Sequence, residues 1–180
     1  MALPSTVFKA TIQLSDLDRS IYETLQTTVA QHPSETAERL VARLLAYAIF
    51  QEADLVFTKG LSATDEPDLW VKGGDGRVLL WGEVGLPDAE RIVKAARHAE
   101  RVVLLACGKT FSNWEQQHLP KLVNVANLTV ISVDQAFVVR LASLLERSIS
   151  WSLTITEGTL YLTIGAETVE AALQVRVGNR

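Results

Sequence analysis

Apolar positions near the start of the chain fall at every second place. Phe8, Ala10, Ile12 and Leu14 alternate with Val7, Lys9, Thr11 and Gln13, which predicts a first strand within residues 5–15. Ser15-Asp16-Leu17-Asp18 then offers a helix cap. Ile21, Leu25 and Val29 recur at four-residue intervals, which predicts a short helix over 21–30. His32-Pro33-Ser34 breaks it and starts a second helix. Ala37, Leu40, Val41, Leu44, Leu45 and Ala48 keep helical spacing there, so this second helix is strongly amphipathic and central to the core. Residues 55–58 read as a short buried strand and 59–66 as a polar loop.

Two apolar runs, 69–71 and 78–81, flank Gly73-Gly74-Asp75-Gly76, and that turn signal predicts a β-hairpin. Asp88 stands at the N-cap of a helix over 88–101. The unbroken apolar run from Val102 to Cys107 reads as an interior parallel strand. A helix over 112–122, a buried strand over 128–133 and a helix over 134–147 follow. From Ser150 the pattern returns to alternation, through Trp151, Leu153 and Ile155, then Leu160, Leu162 and Ile164, then Ala171, Leu173, Val175 and Val177. With turns at Glu157-Gly158 and Gly165 this is an antiparallel meander. The expected architecture is α/β, a single domain over 1–180. A mixed sheet flanked by helices occupies 19–147, and a small antiparallel sheet is built from 5–15 and 149–178.

Composition narrows the function classes. The chain has 180 residues, 48% hydrophobic and 21% charged, as expected of a soluble globular domain. Its net charge of −4 repels polyanions, so any contact with nucleic acid must be made by a local basic patch. Cys107 is the only cysteine, which excludes a disulfide framework and a cysteine zinc site. The N-terminal residues lack a signal-peptide pattern and no apolar run reaches bilayer length, so the expectation is a cytoplasmic protein with no membrane partner. Gly108-Lys109-Thr110 resembles the end of a phosphate-binding loop, but Val103 stands where its first glycine belongs.

The candidate chemistry gathers on the hairpin. Asp68 opens its first strand and Glu83 closes its second, so the turn folds the two carboxylates beside each other. Such a pair can hold Mg²⁺ or Mn²⁺ through oxygen ligands. The ion would polarise a phosphodiester, and Lys94 or Arg91 would steady the developing charge. Glu35 or Glu38 would complete the shell if the second helix packs against the hairpin. Arg91, Lys94, His98 and Arg101 share one helical face, a candidate phosphate track. The plain structural reading makes Asp68 a turn residue, Glu83 an exposed strand end and Asp88 a cap.

Pro67-Asp68, the hairpin and Glu83-Val84-Gly85 resemble the PD-(D/E)XK nuclease pattern, with Gly85 in the place of its lysine. The whole chain resembles the YaeQ family of bacterial proteins, regarded as a variant of that fold. The resemblance is carried by Asp16-Leu17-Asp18-Arg19, His32-Pro33-Ser34-Glu35-Thr36 with Glu38-Arg39, Asp65-Glu66-Pro67 with Trp70, Glu83 with Gly85-Leu86-Pro87-Asp88, Arg91-Ile92, Lys94-Ala95 and Ala126-Asn127-Leu128. It implies a nuclease-like sheet, a metal-dependent phosphodiesterase using Mg²⁺ or Mn²⁺ at Asp68 and Glu83, and nucleic acid as substrate. The alternative it leaves open is a non-catalytic adaptor that binds nucleic acid or a protein partner.

Overall fold

The N-terminal segment is a long hairpin, not a strand followed by a helix. The structure is a computed structural model and describes residues 3–59 and 65–180. β1 (Thr6–Asp16) and β2 (Ile21–Gln31) pair antiparallel from Asp16↔Ile21 to Thr6↔Gln31, with Ser20 at φ 57° in the turn between them. The helix expected over 21–30 is therefore corrected. A four-residue spacing of apolar positions is also two strand periods, and Leu25 and Val29 face the core equally well from a strand.

α1 (Ala37–Ile49) follows, capped by Thr36, whose hydroxyl accepts the backbone N–H of Arg39 at 3.2 Å. β3 (Val56–Phe57), β4 (Leu69–Lys72) and β5 (Val78–Val84) form an antiparallel run. Of the polar loop expected over 59–66, positions 60–64 lie outside the described residues. The β4–β5 turn is the expected glycine cluster: Gly76 sits at φ 85° and Gly73 donates to the Arg77 carbonyl at 2.8 Å. α2 (Ala89–His98) leads into β6 (Ala99–Ala106), which is parallel to β5. The helix ends three residues earlier than expected. There the Asn127 amide donates to the carbonyls of Ala96 and Ala99, which stops the helix and starts the strand. α3 (Phe111–His118) and a 3₁₀ turn at Leu119–Lys121 carry the chain to β7 (Leu128–Ser132), parallel to β6.

α4 (Gln135–Ser143) returns the chain to the first hairpin. β8 (Ser148–Thr156) lies parallel to β1, and β9 (Thr159–Ile164) and β10 (Glu167–Ala172) complete a sheet in the order β10-β9-β8-β1-β2. This second sheet is mixed, not purely antiparallel, and it includes β2. The last strand, β11 (Gln174–Val177), leaves the meander and pairs with β7 at the edge of the six-stranded sheet, β11-β7-β6-β5-β4-β3. The fold is thus mixed α/β with two mixed sheets flanked by helices. Among the described residues no helix is long and apolar enough to cross a membrane.

One core cluster joins β1, β2, β8 and β9 to α1, α4 and one face of the larger sheet through Val103, Leu105 and Cys107. A second lies on the opposite face, where Val102, Leu104 and Ala106 meet Ile92 of α2 and Trp114 of α3. Alternation along β6 therefore sends its side chains to two different cores. α1 and α4 lie between the sheets, and α1 is buried almost all round.

Ile12 is fully buried in the first cluster, whereas Leu17 in the β1–β2 turn is exposed. Ile12→Ala should lower stability by about 2–5 kcal/mol in urea denaturation, and Leu17→Ala by less than about 0.5 kcal/mol. Equal losses at the two positions would contradict this assignment of the core.

Candidate functional site

Register sets the geometry of the acids. Leu69 pairs with Gly82, so Asp68 lies across from Glu83 at the open end of the hairpin. Both are buried, at 3% and 5% exposure. The Asp68 backbone continues the ladder by donating to the Gly82 carbonyl at 2.9 Å. Its Oδ2 accepts the Val84 N–H at 2.9 Å, and its Oδ1 accepts Arg39 Nη2 at 2.5 Å. Arg39 comes from α1, and its Nη1 also donates to the Val84 carbonyl at 3.0 Å. Glu83 is held from the other face of the sheet. Its Oε1 accepts Trp81 Nε1 at 2.8 Å and Arg91 Nε of α2 at 2.8 Å. Arg91 Nη2 in turn donates to the Glu66 carbonyl at 2.9 Å.

Each carboxylate therefore has its own guanidinium, one from each helix layer. Burial still dominates. It pushes the Asp68 carboxyl above the usual range, against the pull of Arg39, the Val84 N–H, Arg43 and Arg91. Burial likewise raises Glu83, opposed by the Trp81 N–H and Arg91 and reinforced by the negative charge of Asp68. The two acids thus feel each other, as converging carboxylates must.

The other expected residues are placed differently. Glu35 is committed elsewhere: Arg43 Nε and Nη2 bind its two oxygens at 2.8 and 3.1 Å in a buried ion pair, and the His32 N–H reaches Oε2 at 3.3 Å. Glu38 is half-buried beside Arg39 on the wall of a cavity of about 210 Å³, which Gly85, Cys107 and Gly108 also line. Lys94 is exposed on α2, one turn beyond Arg91. The continuous basic stripe does not form. Arg101 belongs to β6 and makes a two-pronged contact with Glu52 at 2.6 and 2.9 Å, because the helix stops at His98. Asp88 holds the N-cap position of α2, but the capping bond comes from His118, whose Nδ1 accepts the Ala89 N–H at 3.1 Å.

Sequence reasoning missed Arg39 and Arg43 as site-shaping groups. The signal was present: Glu35, Arg39 and Arg43 form a four-residue row along a helix otherwise rich in leucine and alanine. Several residues that carry the family resemblance prove architectural. Asp16 is fully buried between Arg19 and Arg180. Asp18 accepts the N–H groups of Glu157 and Gly158 and fixes the β8–β9 turn.

A family model described as YaeQ protein matches residues 1–173. The uncharacterized protein YaeQ of Salmonella typhi is 38% identical over 174 residues, 96% of each chain. The Escherichia coli K12 protein of the same description is 37% identical over 174 residues, again 96% of each. The crystal structure of YaeQ protein from Pseudomonas syringae matches with a TM-score of 0.92 at 44% identity, covering 99% of both chains. That of the Xanthomonas axonopodis pv. citri protein matches with 0.93 at 36% identity, covering 97% of this chain and 99% of the other.

Two outcomes test the division between architecture and site. Glu35→Ala strands the buried Arg43 guanidinium and should cost about 3–5 kcal/mol in urea denaturation, while Glu38→Ala should cost under about 1 kcal/mol. Similar costs would mean that Glu35 is not the anchor. The second outcome concerns pH. The folded state binds protons at Asp68 and Glu83 more tightly than the unfolded chain does. Their stabilising contribution is therefore full below the ordinary carboxylate range and is lost as pH rises through their raised native values. Denaturation between about pH 4 and pH 7 should show a component that falls with rising pH and disappears in Asp68→Asn/Glu83→Gln. An unchanged profile in that double variant would contradict the raised values.

Proposed function

The chain belongs to the YaeQ family, and from that premise we propose that it is a metal-dependent phosphodiesterase of the PD-(D/E)XK type acting on nucleic acid. The observation that carries this reading is the buried pair Asp68 and Glu83, set opposite each other at the end of one hairpin with a guanidinium on each. The order α1-β3-β4-β5-α2-β6 supports it, since helix, hairpin-containing sheet, helix and strand is the core order that the resemblance implies.

The donor set suits a hard cation in kind. Asp68 Oδ1 and the Val84 carbonyl oxygen converge on one positively charged group, and Glu83 Oε1 meets another. Among the described residues no three His, Cys, Asp or Glu side chains form a metal-holding cluster, so Asp68, Glu83 and the Val84 carbonyl would hold Mg²⁺ or Mn²⁺ together with water, as Mg²⁺ often allows. When bound, the ion supplies Lewis acidity towards a phosphoryl oxygen and acidifies its water. The chain's own groups do the rest. Arg91 orients Glu83 and keeps a positive charge beside it, and Lys94 adds an exposed charge on the approach. A cleft of about 900 Å³ opens at the carboxyl ends of β6 and β7, the usual place for ligands on open α/β sheets. It shares Gly108 and Gln135 with the cavity beside Arg39, and Lys109, Arg140 and Arg176 line it. This cleft is the path we assign to the nucleic-acid strand.

One observation favours a second reading, a non-catalytic adaptor that binds nucleic acid or protein: Gly85 stands where the nuclease pattern has lysine.

Purified protein with Mg²⁺ or Mn²⁺ should cut at least one of single-stranded DNA, duplex DNA and RNA. EDTA should stop the cutting, and Asp68→Asn should lower the rate at least about 100-fold while the circular dichroism spectrum stays unchanged. Binding without cleavage on all three substrates would leave the adaptor as the function, and full activity in Asp68→Asn would overturn the assignment of the catalytic site to Asp68.

A further inference from the structure

We infer that Arg39 is the phosphate-facing positive charge of this site, delivered from α1 into the space that a side chain at position 85 would take. The inference deepens the phosphodiesterase reading and rests on it. Gly85 has φ 103°, a conformation that strains any L side chain, so the lysine of the nuclease pattern does not fit there without a change of backbone. A Cβ built on Gly85 would stand 3.5 Å from Arg39 Nη1. The guanidinium thus borders the place from which the missing lysine would start.

Its contacts define what it does. Nη2 binds Asp68 Oδ1 and Nη1 binds the Val84 carbonyl, the two oxygens that converge at the mouth of the hairpin. Arg39 is the positive group occupying that oxygen nest. Its Nε is buried and has no hydrogen-bond partner among the described residues, so its donor set is not exhausted. The side chain is 29% exposed and lines the cavity of about 210 Å³. It is therefore neither sealed into the core nor free in solvent. Thr36 caps α1 on the Arg39 N–H itself, which fixes where the side chain leaves the helix.

Arg39 then has two tasks. With the nest free of metal its guanidinium bonds Asp68 Oδ1 and the Val84 carbonyl. With a divalent cation on Asp68 and the Val84 carbonyl, its planar fork is released to a phosphate oxygen in the adjoining cavity. Arg39 and the metal compete for the same two oxygens, and that competition can be measured without any substrate.

The test is Mn²⁺ binding, read by electron paramagnetic resonance of the free ion, on the full chain. The Arg39→Ala variant should bind Mn²⁺ at least ten-fold more tightly than the parent. Arg39→Ala/Asp68→Asn should lose that gain. Lys109→Ala removes one positive charge from the neighbouring cleft and should change affinity less than three-fold. Arg39→Lys should fall between parent and Arg39→Ala, and serves as the readout if the alanine variant does not fold. In a cleavage assay Arg39→Ala should lose at least 100-fold in kcat, with partial recovery in Arg39→Lys. Unchanged Mn²⁺ affinity in a folded Arg39 variant, or a gain matched by Lys109→Ala, overturns the inference even if the parent cuts nucleic acid. A ten-fold gain in a protein that cuts nothing keeps Arg39 in the nest and ends the phosphodiesterase reading instead.

Discussion

A helix covered on every side has nowhere to put a charge except against an opposite one. α1 lies between two sheets and buries residues around most of its circumference, yet it carries Arg39 and Arg43 on its path through the core. An unpaired guanidinium there would cost several kcal/mol, so its neighbours must supply carboxylates. They do so on both sides. Glu35 and the Ala30 carbonyl take Arg43, tying α1 back to the end of β2. Asp68 and the Val84 carbonyl take Arg39, tying α1 forward to the hairpin. The acid at the hairpin's open end is thus an architectural demand of α1 as well as a candidate for chemistry.

The same logic explains why the acids stay high in pKa despite their arginines. Arg91 is 37% exposed and Arg39 29%, so solvent screens much of their charge, while the carboxylates themselves are almost wholly buried. Desolvation acts on each acid in full and the compensating charges act in part. Such a site holds its acids poised, since a stronger or better-placed cation would relieve more of the burial cost than either arginine does. Structural ion pairs perturb acids too, so poise alone does not make an active site. What distinguishes this pair is that register sets both acids opposite each other at the open end of one hairpin.

The sequence showed clearly those features that are local. The glycine cluster and its flanking apolar runs specify the β4–β5 hairpin within a few residues, and the unbroken run from Val102 to Cys107 specifies a strand covered on both faces. The helix expected over 21–30 is a strand; apolar residues four apart satisfy a helix and a strand alike. Eleven pairings with β1, invisible to local spacing, decide between them. The departure of β11 from the meander is equally non-local: β7 needs a partner on its outer edge, and no residue within β11 announces that. In the candidate site, Asp68 and Glu83 were legible because hairpin register alone brings them together. The cation was not, because Arg39 stands 29 positions before Asp68 and its side of α1 is fixed only when both sheets close over the helix.

This non-locality also ties Gly85 to Arg39. A charge beside paired acids need not come from the strand that carries them; it need only arrive in the same volume. At position 85 the backbone has turned into a conformation that favours glycine, and the absence of a side chain leaves room for the guanidinium of Arg39 at van der Waals distance. A bulkier residue at 85 would crowd that guanidinium, and loss of Arg39 would leave a buried carboxylate without its nearest positive charge. The two positions are therefore physically linked although 46 residues separate them in sequence.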